Sequence, residues 1–221
     1  MRYIQRFSVL AFVIEGGVSE AIGMNPHFPD QFSAHLIVTA HTVDGSKDYP
    51  PSIRQMDILY DRVAGQAKVV LNDGLNARKT FLRLYESKNE YMIREGEYPS
   101  CRRSHLGDTM PLPEFPRTVS FQGMVTLEGL LCEHWRQNDG TSLVDIYMDS
   151  VNQVPRRLTE EAVSVGAAAI PLVTYDFWDL TVGPPGAHLY SLPEHYTPRE
   201  ACDLHVGGFP YIHIFHHYLR V

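Results

Sequence analysis

Phe32-Ser33-Ala34-His35-Leu36-Ile37-Val38-Thr39-Ala40 is the stretch from which the rest of the chain can be read. Its even positions are apolar and its odd positions mostly polar, the two-residue period of a strand with one buried face. Ile53–Tyr60 repeats the pattern, with Met56, Ile58 and Tyr60 on one side and Gln55 and Asp57 on the other. Asp61–Gln66 then reads as a turn and Ala67–Leu71 as the returning strand. Thr80–Tyr85 and Glu90–Arg94 flank a second turn at Glu86-Ser87-Lys88-Asn89. Met124–Arg136 and Leu143–Met148 flank Asn138-Asp139-Gly140, whose Asp-Gly step is a strong hairpin signal. A last long strand, Pro171–Val182, is stopped by Gly183-Pro184-Pro185-Gly186. Short connections of this kind produce antiparallel meanders.

Helix signals are few. Thr159 is placed to cap a short helix through Glu160 and Glu161 to about Ala169. Pro111–Pro116 must be a loop or an extended crossing segment, because its three prolines cannot sit in a central ladder. No repeat or low-complexity linker divides the chain. The expected fold class is mainly β, a single antiparallel curved sheet or half-barrel with one or two short helices.

The 221 residues are 44% hydrophobic and 20% charged, a globular composition able to bury a substantial core. The net charge of −7 comes without any basic stripe interleaved with aromatics, which argues against nucleic acid as a partner. Scattered acidic residues lack the spacing of an EF-hand loop. At the N-terminus, Arg2 and Arg6 precede the apolar run Phe7–Ile14, and Ser19-Glu20-Ala21 offers small residues for cleavage. This is the layout of a secretory signal peptide over residues 1–21, leaving 22–221 as one β domain. The competing reading of the run is a first strand. No stretch reaches the roughly 20 apolar residues of a membrane-spanning helix, so no transmembrane anchoring is expected.

Cys101, Cys132 and Cys202 suit one disulfide and one leftover thiol in a secreted protein, and composition leaves the pairing open. Their spacing does not suit a structural zinc site. His205, His213, His216 and His217 invite a metal reading, with His213 and His217 on one face of a strand. The surrounding Phe209-Pro210-Tyr211-Ile212 and Phe215 favour packing instead, so no metal ligands and no cofactor are assigned. Neither a GxSxG elbow nor a phosphate-binding glycine loop is present, and no catalytic residue is assigned. Twelve Tyr, ten Phe and two Trp remain, enough to line either a closed core or a ligand cavity.

Gly129-Leu130-Leu131-Cys132-Glu133-His134-Trp135, then Asp145-Ile146-Tyr147-Met148-Asp149 and Val154-Pro155-Arg156-Arg157, resemble a pattern of ependymin-related proteins. They are equally similar to the LolA-like domains that precede papain-type proteases in some protists. Met56-Asp57-Ile58-Leu59-Tyr60, Leu84–Asn89 ahead of Cys101, and Tyr175–Leu180 extend the resemblance over roughly residues 30–195. It implies a half-barrel around an apolar pocket, secretion, calcium association and homodimers. It also implies a Cys101–Cys132 disulfide. The chain has fewer cysteines than the full ependymin set and no Asn-x-Ser/Thr acceptor.

The expected function is therefore that of a secreted, non-enzymatic protein holding a lipid or other apolar ligand. Leu36, Val38, Met56, Ile58, Val69, Leu84, Ile146, Tyr175 and Phe177 are expected to line the pocket. An extracellular interaction or matrix protein, acting by dimerisation or partner docking, is the alternative. An enzyme built on His205, His213 and His217 is the third.

Overall fold

The computed structural model describes residues 25–41, 52–72, 78–113, 115, 118–138, 140, 142–162, 170–197 and 199–209. Residues 1–21, the expected helical stretch 163–169, and His213, His216 and His217 lie outside the described residues. Twelve strands follow in chain order: β1 (Gln31–Ala40), β2 (Ser52–Asp61), β3 (Gln66–Asn72), β4 (Arg78–Leu84), β5 (Asn89–Glu95), β6 (Ser100–His105), β7 (Ser120–Leu127), β8 (Leu130–Asn138), β9 (Ser142–Asp149), β10 (Pro155–Ala162), β11 (Ile170–Val182) and β12 (Asp203–Leu204). They form one open sheet in the order β12-β6-β5-β4-β3-β2-β1-β11-β10-β9-β8-β7. Every pairing is antiparallel except the two-residue parallel contact of β12 with β6. The fold is mainly β, as the period of the sequence requires. Among the described residues the only helical pieces are 3₁₀ turns at Ala187–Tyr190, Glu194–Tyr196 and Arg199–Ala201, none long enough to cross a membrane.

Local chemistry sets the turns. Asp61 Oδ1 accepts from Ala64 N at 2.9 Å, and Gly65 takes a left-handed conformation (φ 61°) that closes the β2–β3 hairpin. Asn138 Oδ1 accepts from Gly140 N at 2.8 Å between β8 and β9. The Asp149 carboxylate accepts from Val151 N and Asn152 N at 2.9 and 3.1 Å between β9 and β10.

Two sequence expectations are corrected. Met124–Arg136 is not one strand: the chain reverses at Glu128-Gly129, where both residues have positive φ (51° and 85°). That is the backbone of a tight two-residue hairpin turn, and Glu, unlike Asn or Asp, does not advertise it. Thr159 does not cap a helix; it pairs with Asp145 on β9 and Thr174 on β11. Leu158 beside it is fully buried between Ile146 and Tyr175, and that packing outweighs the local helix signal.

The main core lies on one face of the sheet, hereafter the inner face. It draws residues from β3 at one end to Trp135 of β8 at the other. Those strands are six steps apart, roughly 29 Å if the sheet were flat. Among the described residues no second sheet covers them. The face is buried because the sheet curves over itself and because Phe28 and Phe115 fill its hollow. A smaller cluster of Leu82, Tyr91, Ile93, Cys101, Tyr190 and Cys202 occupies the outer face, beneath the 3₁₀ turns.

Candidate functional site: the apolar inner face

Strand register assembles a continuous apolar row. Val38 on β1 lies beside Tyr175 on β11, then come Leu158, Ile146, Trp135 and Phe121 on β10, β9, β8 and β7. In the other direction Ala34, Ile58, Val69, Phe81 and Met92 continue the face across β1 to β5. Eight expected pocket residues, Leu36, Val38, Met56, Ile58, Val69, Ile146, Tyr175 and Phe177, belong to this one cluster. Leu84 does not. It pairs with Gln66 and Asn89, and it packs against the outer cluster. The inner position next to it on β4 is held by Arg83, so assigning β4 by simple alternation from Leu84 puts the wrong residue inside.

The centre of this face is covered by the chain's own aromatics. Phe28 lies 4.7 Å from Phe115, 5.5 Å from Phe177 and 5.9 Å from Phe32, ring centre to ring centre. The crossing segment is held down by Phe28 N donating to Pro113 O (2.8 Å) and by Tyr60 Oη donating to Pro111 O (2.6 Å). Burial raises the Tyr60 pKa, so the hydroxyl stays a donor throughout the ordinary pH range. Sequence reading missed Phe28 and Phe115 as core residues because both sit among prolines in irregular chain. Towards β7 the apolar row becomes accessible. Phe121 is 52% exposed and Met124 48% exposed, and Phe121 meets buried Trp135 edge-on at 5.2 Å.

At the opposite end the inner face turns polar. Arg83 Nε lies 3.3 Å from Glu90 Oε2, both buried, and its NH1 lies 3.5 Å from Asp108. Glu90 also accepts from Phe209 N at 2.9 Å, while Ser104 Oγ donates to Gly207 O at 2.5 Å. The chain after Cys202 therefore passes around the β6 edge, from the outer cluster to the inner face.

The expected Cys101–Cys132 disulfide is corrected: Cys101 bonds Cys202, and Cys132 is a free, buried thiol. Cys101 and Cys132 lie on β6 and β8, nine strand steps apart on the outer face, where curvature separates them further. A disulfide needs Cα atoms within about 7 Å. Burial raises the Cys132 pKa, as does Asp149 beside it, leaving the thiol protonated and poorly nucleophilic.

The outer face of β8–β11 carries an ion network. His134 Nε2 donates to Asp145 Oδ1 at 2.5 Å, and Arg136 binds the same carboxylate through two nitrogens at 2.7 and 2.9 Å. Arg157 bridges Asp176 and Glu128. Burial works to raise the Asp145 pKa, but the hydrogen bonds from Arg136 and His134 outweigh it and hold it below its ordinary value. His134 stacks on Tyr147 at 4.7 Å between ring centres. This arrangement ties strands together. His205 stacks on Phe209 at 5.0 Å. Among the described residues, no group of three or more His, Cys, Asp and Glu side chains is arranged to hold a metal.

No family model matches the chain, and no curated protein matches it in sequence. A solved structure shares the course of the chain. An uncharacterized conserved protein from Thermus thermophilus superposes with a TM-score of 0.50 at 9% identity, over 80% of this chain and 90% of that one. MucB, solved in complex with MucA(peri), gives 0.46 at 11% identity, over 80% of this chain and 57% of that one. At such identities the likeness concerns the course of the backbone alone.

Proposed function

We propose that this protein is a non-enzymatic extracellular binding protein that holds a lipid or other apolar ligand on its inner face, without a cofactor. The observation that carries this reading is the apolar row running from Val38 to Phe121. It is sealed at its centre by Phe28 and Phe115 but accessible at its β7 end, where Phe121 and Met124 lie half exposed beside Trp135. A one-sided sheet leaves apolar surface that must be covered, and an acyl chain or similar group laid along Trp135 and Phe121 would cover it. The Cys101–Cys202 disulfide suits an oxidising compartment, which supports secretion. The resemblance of residues 30–195 to ependymin-related and LolA-like domains points the same way.

Native mass spectrometry of protein purified from a secreting host, followed by organic extraction, tests the reading. A co-purifying apolar molecule that is released on denaturation is the expected result. A bare chain that also fails to bind a panel of fatty acids and lysophospholipids would overturn it. Phe121→Asp is expected to weaken binding of such a probe about tenfold, since one large apolar contact is worth roughly 1–3 kcal/mol.

A further inference from the structure

Two apolar rows of the inner face end in cations. Val38, at the β1 end of the row that reaches Phe121, faces Arg54 across β1 and β2. In the neighbouring row Leu36, Met56 and Leu71 lie side by side on β1, β2 and β3. The next residues in that line are Lys79 on β4 and Arg94 on β5. Arg54 and Arg94 are exposed, and Leu71 and Lys79 are half-buried, so this corner is an open rim of the core. Among the described residues of β1–β5, the only carboxylate on the inner face is Glu90, at the far end of β5. Arg83 and Phe209 N already occupy it. No ion pair among the described residues includes Arg54 or Arg94. Lys79 and Arg94 stand directly opposite each other, a like-charge pair that costs stability. Arg102, also on this face, is set beside Asp203 of β12 and is left out of the group.

We propose that the ligand of the inner face is an amphiphile with an oxyanion head, phosphate or carboxylate, held by Arg54, Lys79 and Arg94. Its chain enters the core past Val38 and Leu71. The inference rests on the ligand reading above and adds the head to it. Its ground is charge complementarity: a molecule of net charge −7 gathers cations where two apolar rows reach the rim. The two arginines supply forked N–H donors that match an oxyanion, and Lys79, between them in strand order, adds a point charge. An anion bound there also relieves the repulsion between Lys79 and Arg94. Glu160, on β10 and three strand steps from Arg54, bounds the group on its other side.

Titration calorimetry with three probes, each below its micelle concentration, tests this. Lauroyl lysophosphatidic acid and 1-monolauroylglycerol share a chain and a glycerol and differ by the phosphate, while glycerol 3-phosphate carries the head alone. The phosphate lipid is expected to bind about tenfold tighter than the neutral one, as charge-assisted hydrogen bonds to the head require. Glycerol 3-phosphate alone should bind far more weakly. Arg54→Gln with Arg94→Gln should bring the phosphate lipid down to the neutral lipid's affinity and leave the neutral lipid unchanged. Arg62→Gln with Lys88→Gln removes the same charge at the opposite ends of the strands and should keep the preference. Equal binding of the two lipids by the wild type would overturn the inference and leave the ligand reading standing. Glycerol 3-phosphate binding as tightly as the lipid would reduce the site to one for free anions. A preference lost equally in the control pair would assign it to overall charge. Binding of neither lipid would overturn the ligand reading and this inference with it.

Discussion

Asp149 and Asp145 show how single carboxylates hold this sheet. Asp149 is almost fully buried, yet it accepts from Asn152 Nδ2, two backbone N–H groups and Arg156, which together outweigh the burial that would raise its pKa. Both acids therefore have folded-state values below the ordinary 3.8. A lowered folded pKa means stability that is fully present above the unfolded value and lost as pH falls through the folded one. The melting temperature is expected to drop below about pH 4, where free carboxylates begin to protonate. Asp149→Asn should flatten that acid limb and cost about 3 kcal/mol at neutral pH, read by urea unfolding at both pH values. At the cysteines the expectation is asymmetric. Cys202→Ser opens a loop of 101 residues and should cost about 2–5 kcal/mol. Cys132→Ala removes only a buried sulfur and should cost about 1 kcal/mol. Denaturant melts with and without reductant separate the two, since reductant should shift Cys132→Ala as much as wild type and leave Cys202→Ser unmoved.

At the scale of elements, the β7–β8 hairpin turns on Glu128 and Gly129, both in the left-handed region. Gly129→Ala is expected to destabilise the protein by about 1 kcal/mol, because a side chain is strained there even where space is open. Phe28 and Phe115 act together as the plug of the inner face. Phe115→Ala should cost about 3–5 kcal/mol by emptying a packed site. If the inner face is where an apolar ligand sits, the same variant should bind more of a fluorescent apolar dye than the wild type while keeping its β circular dichroism. The strands themselves were legible wherever one face alone was buried: β1 alternates in burial along nearly its whole length, as its sequence does. Where both faces are covered, as at Thr80-Phe81-Leu82-Arg83 of β4, alternation disappears and facing could not be read, which is why Leu84 was assigned to the wrong side.

At the scale of the molecule, the C-terminal segment links the two faces. It packs Tyr190 into the outer cluster, bonds Cys202 to β6, and then reaches Glu90 and Ser104 on the inner face. Reduction of Cys101–Cys202 should therefore loosen residues 187–204 before the main core. Limited proteolysis under reducing, non-denaturing conditions is expected to cut there first, leaving β1–β3 and β8–β11 protected. Cleavage elsewhere first would show that the outer cluster holds without the disulfide.

By itself the sequence determined that this chain is a β protein, where the β2–β3, β4–β5 and β8–β9 hairpins turn, and which side of β1, β2, β9 and β11 faces the core. These follow from alternation and turn chemistry, which act between residues close in the chain. The tertiary structure alone decided that Cys101 meets Cys202, that Thr159 lies in a strand, that Phe28 and Phe115 fill the hollow, and that β7 is the last strand of the sheet among the described residues. Each depends on which strands become neighbours and how the sheet curves, and contacts so distant in sequence leave no periodic trace in it.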